Sequence, residues 1–246
     1  MNKKYTHILL IFFEILTIVS FNCKTVNAQN YALHFDGFND YVEIGDVIEG
    51  SVAHTEEAWI KWAGDNSISS NFQDIVLKPF ITSTAITKTG NLHSNYGDGS
   101  VWGSGVTSVV AIPVNIWTHI ATVREESGKI RLYINGVEDV NSTTITLSGS
   151  NDRLRCIGVG KYTASSFVNW FNGELDEVRI WNTARSASEI RENMMRTLVG
   201  DESGLAALYR FDQTGGSTLY DATLNAYNGT LINMDAVADW VDSEAF

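Results

Sequence analysis

Proline and cysteine are nearly absent from this chain, with 2 of each in 246 residues. Two cysteines cannot staple a disulfide mini-domain or build a cysteine-rich zinc site. Cations are also scarce, 17 Lys+Arg against 29 Asp+Glu, for a net charge of −12. That balance repels phosphate and argues against a basic nucleic-acid binder. No apolar run is long enough for a permanent membrane helix: Ile8 to Phe21 spans about 14 residues where roughly 20 are needed. What is plentiful is glycine, 20 residues, which against so little proline implies many tight turns rather than stiff linkers. The 44% hydrophobic and 11% aromatic residues are spread along the whole length, which excludes a disordered acidic tail.

Residues 1–28 read as a secretory signal. Lys3 and Lys4 precede the apolar run, and Val26-Asn27-Ala28 offers small residues at the −3 and −1 positions of a cleavage site. The alternative is a lipoprotein anchored through Cys23, but Ser20-Phe21-Asn22 lacks the small residue expected before such a cysteine. Cleavage after Ala28 leaves 218 residues with 14 basic and 28 acidic side chains, a net charge of −14. The expected location is secreted, extracellular or at the cell surface, with the periplasm as a further option. Cys156 is then the only thiol, so no intramolecular disulfide can form in an oxidising compartment. Between Arg155 and Ile157 in an alternating run, it reads as a buried small hydrophobe.

From residue 30 onward, short runs of β-branched and aromatic residues are broken by Gly, Asn, Asp and Ser. The pattern predicts strands at Tyr31–Phe35, Tyr41–Ile44, Glu57–Trp62, Asp74–Ile81, Trp102–Ile112, Thr118–Val123, Ile130–Ile134, Leu154–Val159 and Gly173–Trp181. Asn135-Gly136 can supply the positive φ angles of a type I′ hairpin, and Ser127-Gly128 can close the hairpin before it. Ser186-Ala187-Ser188-Glu189 is a capping box. Behind it Ile190, Met194 and Leu198 make one apolar stripe, and Gly200 ends a helix near 187–198. Closing strands are expected at Gly204–Asp212, Ser217–Asp221 and Tyr227–Ile232. The fold class is all-β, one two-sheet antiparallel sandwich over 29–246 with one short helix. The chain stops at Phe246 without a tail, as one module of a longer design would.

Several segments carry a resemblance. Phe35-Asp36-Gly37-Phe38-Asn39-Asp40-Tyr41-Val42, Glu57-Ala58-Trp59-Ile60-Lys61, Trp117-Thr118-His119-Ile120-Ala121, Leu132-Tyr133-Ile134-Asn135-Gly136 and Phe171-Asn172-Gly173-Glu174-Leu175-Asp176-Glu177-Val178-Arg179-Ile180-Trp181-Asn182 occur in order. With the helix at Ser188-Glu189-Ile190 and the Gly204-Leu205…Tyr209-Arg210-Phe211 strand, they resemble the laminin-G-like (LamG-type) jelly-roll domain of the concanavalin A-like lectin/glucanase superfamily. The resemblance implies a jelly roll of two curved sheets, secreted or surface-exposed. It also implies one bound calcium and binding of glycans or proteins, with hydrolases among the wider superfamily.

Asp36, Asn39 and Asp40 flank Gly37, so one loop could offer several oxygens to a hard cation, and calcium takes 6–8. The resemblance brings Asp176 towards that loop, which makes Asp36, Asn39, Asp40 and Asp176 the candidate calcium ligands. The competing reading is plain turn chemistry.

For catalysis, superfamily β-glucanases carry Glu-x-Asp-x-x-Glu, and Glu174-Leu175-Asp176-Glu177 begins that pattern. Val178 and Arg179 follow, so the second glutamate is missing. His34, His54, His93 and His119 are scattered, and no HExxH, phosphate loop or Gly-x-Ser-x-Gly is present. No catalytic residue is assigned. Binding fits better: Asn91–Gly105 and Lys161–Asn172, read as loops at the sheet rim, place Tyr96, Trp102, Tyr162, Trp170 and Asn172 among small polar residues, a makeup suited to a glycan site. Trp102 and Trp170 could equally be strand residues packing inward. The expected partner is a carbohydrate or glycoconjugate. A surface protein in an adhesion role is the runner-up, where the acidic surface would favour a basic partner.

Overall fold

A computed structural model describes residues 30–47, 53–65, 71–146 and 149–246. The signal segment, its cleavage site and Cys23 lie outside the described residues. No helix among the described residues is long and apolar enough to cross a membrane.

In chain order the strands are β1 (Tyr31–Asp36), β2 (Tyr41–Gly45), β3 (His54–Trp62), β4 (Phe72–Lys78), β5 (Thr82–Thr87), β6 (Asn91–Tyr96) and β7 (Val106–Ala111). They continue as β8 (Thr118–Arg124), β9 (Lys129–Ile134), β10 (Val137–Thr144), β11 (Arg155–Ile157), β12 (Gly160–Thr163), β13 (Ser166–Val168) and β14 (Asn172–Trp181). Helix α1 (Ala187–Asn193) is followed by β15 (Leu205–Tyr209), β16 (Thr218–Leu219), β17 (Gly229–Ile232) and β18 (Trp240–Asp242). One sheet runs β10-β9-β8-β3-β14-β1-β18, with β15 on the second half of β14. The other runs β16-β17-β2-β11-β4-β5-β6-β7, and β12-β13 form a separate hairpin. Every pairing is antiparallel, and the two large sheets make the expected jelly-roll sandwich.

The period of two decides what fills it. Ala58, Ile60 and Trp62 of β3, with Leu175, Val178 and Ile180 of β14, face Val76, Ile86 and Leu92 of the opposite sheet. A polar cluster sits within this layer. Glu56 bonds His54, Thr82, Thr84 and Arg155. Burial alone would push the Glu56 carboxyl up, but those donors and the Arg155 charge hold it down at about 2.

Local chemistry accounts for the turns. Asn135 (φ 49°) and Gly136 (φ 72°) take the two positive angles of the hairpin joining β9 and β10. The capping box is present: Glu189 N–H donates to Ser186 Oγ, and Ser186 N–H donates to Glu189 Oε2.

Four expectations need correction. The helix ends at Asn193, not 198, because side chains from the sheet claim its terminal carbonyls. Arg179 donates to the carbonyls of Asn193 and Arg196, and Trp59 Nε1 to that of Met194. Leu198 is buried against Trp181, Leu205 and Leu208 rather than continuing the stripe of Ile190. The run Asp74–Ile81 is interrupted, since Phe80 at φ 59° turns the chain into β5. Asn91–Gly105 is half strand rather than a rim loop, and Trp102 precedes β7 instead of opening it.

Candidate functional site

The calcium set is split by strand register. Asp36 pairs with Asn172 across β1 and β14, four residues before Asp176. At roughly 3.3 Å per residue the two aspartates stand about 13 Å apart, far beyond one ion's coordination sphere. Asp176 is fully buried and accepts a hydrogen bond from Ser243 Oγ at 2.6 Å. Within the early loop, Asp36 Oδ1 accepts the N–H groups of Phe38 (2.8 Å) and Asn39 (3.1 Å), and Asp40 Oδ2 accepts that of Asp36 (3.0 Å). Oxygens turned onto their own backbone describe the turn-chemistry reading. Asn39 contributes its carbonyl oxygen to Asn233 Nδ2 at 3.0 Å. The four residues therefore do not fit a single shared calcium. Among the described residues no group of three or more His, Cys, Asp or Glu is arranged to hold a metal.

Of the other β14 carboxylates, Glu174 is engaged by Lys61 at 3.1 Å and Glu177 by Arg179 at 2.9 Å.

The aromatic candidates separate by strand parity. On β6, Leu92, Ser94 and Tyr96 point inward, while His93 and Asn95 point out. Tyr96 is buried between Arg124, whose guanidinium lies 4.9 Å from its ring centroid, and His54 at 5.2 Å. It is a core residue and lines no glycan groove. Trp170 stacks on Phe167 at 5.7 Å and leans on Tyr41 at 6.1 Å, over the β2 side of the sheet. Asn172 belongs to β14, where its N–H donates to Gln73 Oε1 at 3.0 Å. Neither lines the cavity that the other two candidates share.

Trp102 and Tyr162 do meet. Trp102 Nε1 donates to Tyr162 Oη at 3.2 Å, and Phe80 packs against both rings at 5.6 and 5.3 Å. The two wall a cavity of about 120 Å³ on the outer face of β4, β5 and β6, also lined by Phe72, Asp74, Ser83, His93, Asn95 and Asn169. Register places these side by side: Asp74, Ala85 and His93 lie in one row, and Leu77, Ser83 and Asn95 in the next. The β12-β13 hairpin, folded over β4, supplies Tyr162, and the connection behind it supplies Asn169.

Asp74 is the charged centre of this hollow. It is 1% exposed, with Oδ1 accepting from Ser83 Oγ (3.1 Å) and Oδ2 from Asn169 Nδ2 (2.9 Å). Burial pushes its carboxyl up to about 7 despite those donors, and Glu56 adds a smaller push the same way. Gly160 packs directly beside it: a Cβ there would lie 2.7 Å from Asp74 Oδ2 and push on the carboxylate. His93 bonds Thr107 Oγ1 at 2.8 Å, and burial holds its pKa down at about 4, so the ring is neutral. The amide oxygen of Asn95 is buried without a hydrogen-bond partner. Sequence reading missed Phe72, Asp74, His93, Asn95 and Asn169. The alternation Asn91-Leu92-His93-Ser94-Asn95-Tyr96 was the available signal for the β6 pair, and it also sends Tyr96 inward.

A larger hollow of about 330 Å³ lies on the other sheet beside α1, but Arg131 there is already paired with Glu125 and Glu138. Of these two hollows, the aromatic cavity is the one that sets ring faces beside a buried acceptor without a hydrogen-bond partner.

These features define a concanavalin A-like β-sandwich with an aromatic-walled cavity on the outside of one sheet. Residues 35–191 match the Laminin_G_3 family of the concanavalin A-like lectin/glucanases superfamily, and the chain belongs to that family. The matched span contains every residue of the cavity. No curated protein matches the chain. Among solved structures it is similar to a candidate carbohydrate-binding protein from Bacteroides ovatus, at 22% identity and a TM-score of 0.64 over 87% of this chain. The chain spans only 61% of that protein's length. It is also similar to a heptameric SAP-like pentraxin from Limulus polyphemus, at 15% identity and TM-score 0.52 over 68% of this chain and 82% of that one. A third likeness is to the CBM40 of a Ruminococcus gnavus sialidase bound to α2,3-sialyllactose, at 12% identity and TM-score 0.50 over 67% of this chain and 96% of that one. At these identities the likeness establishes the fold.

Proposed function

We propose that this chain is an exported, non-catalytic carbohydrate-binding module that takes the edge of one sugar unit into the cavity between Trp102, Tyr162 and Asp74. The observation that carries the reading is the convergence of aromatic walls with Asp74 and the partnerless Asn95 oxygen on one small hollow. Sugars present apolar C–H faces and hydroxyl edges, and this mixture of ring and acceptor matches both. At about 120 Å³ the cavity is smaller than the roughly 300 Å³ at which drug-sized pockets begin, so it suits one ring edge rather than several units. The adjoining hollow of about 260 Å³ on the far side of Tyr162, lined by Arg153, Leu154 and Lys161, offers room for a neighbouring unit. The carbohydrate-binding description of the Bacteroides ovatus protein and the sialyllactose held by the CBM40 support the same class. Calcium is not part of this reading, because the cavity and the Asp36 loop are separate.

A glycan array tests it, with Trp102→Ala beside the wild type. Binding of at least one glycan, weakened about tenfold or more in a variant that still melts cooperatively, is expected, since truncating an aromatic anchor costs about 2 kcal/mol of binding. Glycan binding unaffected by that substitution moves the site elsewhere. Release of reducing ends from a polysaccharide would overturn the non-catalytic assignment.

A further inference from the structure

The charge inventory of the cavity says more than that a sugar fits. Its lining contains one group able to carry negative charge near neutrality, Asp74, and none able to carry positive charge there, since His93 is held neutral. Asp74 uses one acceptor position on each oxygen for Ser83 and Asn169. An ionised carboxylate has about four such positions, so two are left over in number, and Asn95 Oδ1 is a buried acceptor without a hydrogen-bond partner. The titratable groups around Asp74 are His93 from β6, Tyr162 from β12 and, through the sheet, Glu56 from β3. The cations that border the adjoining hollow, or sit behind the sheet, are engaged elsewhere: Arg153 lies 4.9 Å over the Phe80 ring and donates to the Tyr162 carbonyl, Lys161 is paired with Glu43, and Arg155 with Glu56.

We infer that Asp74 sets the specificity of the site: with Asn95 it accepts the hydroxyl donors of a neutral sugar and turns away a uronate or sialate carboxylate. This deepens the carbohydrate-binding reading and rests on it. An anionic sugar whose carboxylate entered this cavity would meet a buried like charge with no Lys or Arg in the lining to offset it, which disfavours entry there; Arg153 and Lys161 border only the adjoining hollow. A neutral hydroxyl supplies a donor where the cavity has acceptors to spare. The neighbouring fold that holds α2,3-sialyllactose therefore shares its architecture with this chain but not the ligand charge.

The test is binding of matched neutral and acidic glycans, such as lactose with α2,3-sialyllactose and neutral oligosaccharides with their uronate-containing counterparts, at pH 8.5 and pH 5.5. Wild type, Asp74→Asn and Trp102→Ala are compared. At pH 8.5, where Asp74 is ionised, the wild type should bind the neutral member at least tenfold tighter. Asp74→Asn, similar in shape but uncharged, should cut that preference to about threefold or less, and so should the wild type at pH 5.5. If Asp74→Asn fails to fold, the pH comparison on the wild type decides alone. Equal binding of both members at pH 8.5, sensitive to Trp102→Ala, overturns the selectivity and leaves the carbohydrate reading standing. A preference unchanged by Asp74→Asn and by pH also overturns it. Binding of no glycan at all removes both.

Discussion

Asp176 and Glu56 are both buried carboxylates, and the structure shifts them in opposite directions. Burial, with help from the Glu177 charge, pushes Asp176 up to about 7. An unfolded Asp titrates near 3.9, so between about pH 4 and 7 the folded state holds a proton that the unfolded state has lost. The Asp176 contribution to stability therefore falls as pH rises through that window, and the penalty is complete above it. Asp176→Asn should stabilise the protein at pH 8, on the order of 2 kcal/mol, and give no gain at pH 4, as read from urea midpoints. Glu56 has the reverse sign. Its carboxyl stays near 2, so its contribution is present above about pH 4.5 and is lost as pH falls towards 2. Glu56→Ala leaves Arg155 buried without its carboxylate partner and should cost about 3–5 kcal/mol at pH 7. A variant that melts like the wild type would show that water reaches this layer.

At the scale of elements, the signals that were legible are those whose cause lies within a few residues. The capping box before α1 and the Asn135-Gly136 hairpin satisfy their own backbone groups, so sequence spacing suffices to find them. Ser186→Ala should cost about 1 kcal/mol, because Glu189 N–H loses its acceptor; thermal melting would show a drop of a few degrees. Gly136→Ala should cost more, since φ is 72° and the added Cβ would lie 2.6 Å from Arg191 Cγ. The length of α1 was not legible. It is set by Arg179 and Trp59, side chains of strands that close over the helix end and take the carbonyls another turn would have used. The break after β4 was signalled by Pro79, which cannot donate to a ladder; what was hidden is β5, because the polar Thr82-Ser83-Thr84 run is a strand where Glu56 and Asp74 receive its hydroxyls.

For the molecule as a whole, the pairing of distant segments governs what any ion or ligand can meet. Since register keeps Asp36 and Asp176 apart, the two should not act on one ion, and Asp176→Asn should leave the response of the melting temperature to EDTA the same as in the wild type. A calcium ion at a hundred times its dissociation constant would have added roughly 2.7 kcal/mol, or about 5–10 °C for a domain of this size. A chelator-induced fall of that size would restore a calcium site built from residues other than this set.

The sequence by itself determined the all-β sandwich, the Asn135-Gly136 turn, the capped start of α1, the family, and the pairing of aromatics with small polar residues in two stretches. These follow from alternation and turn chemistry, which act over two to five neighbours. Only the tertiary structure decided which candidates share a place. Trp102 and Tyr162 meet over Asp74, while Tyr96, one strand position beyond Asn95, turns into the core. A side chain's face depends on strand parity and its companions on register, and both are settled by the burial of the whole sheet rather than by any local stretch of chain.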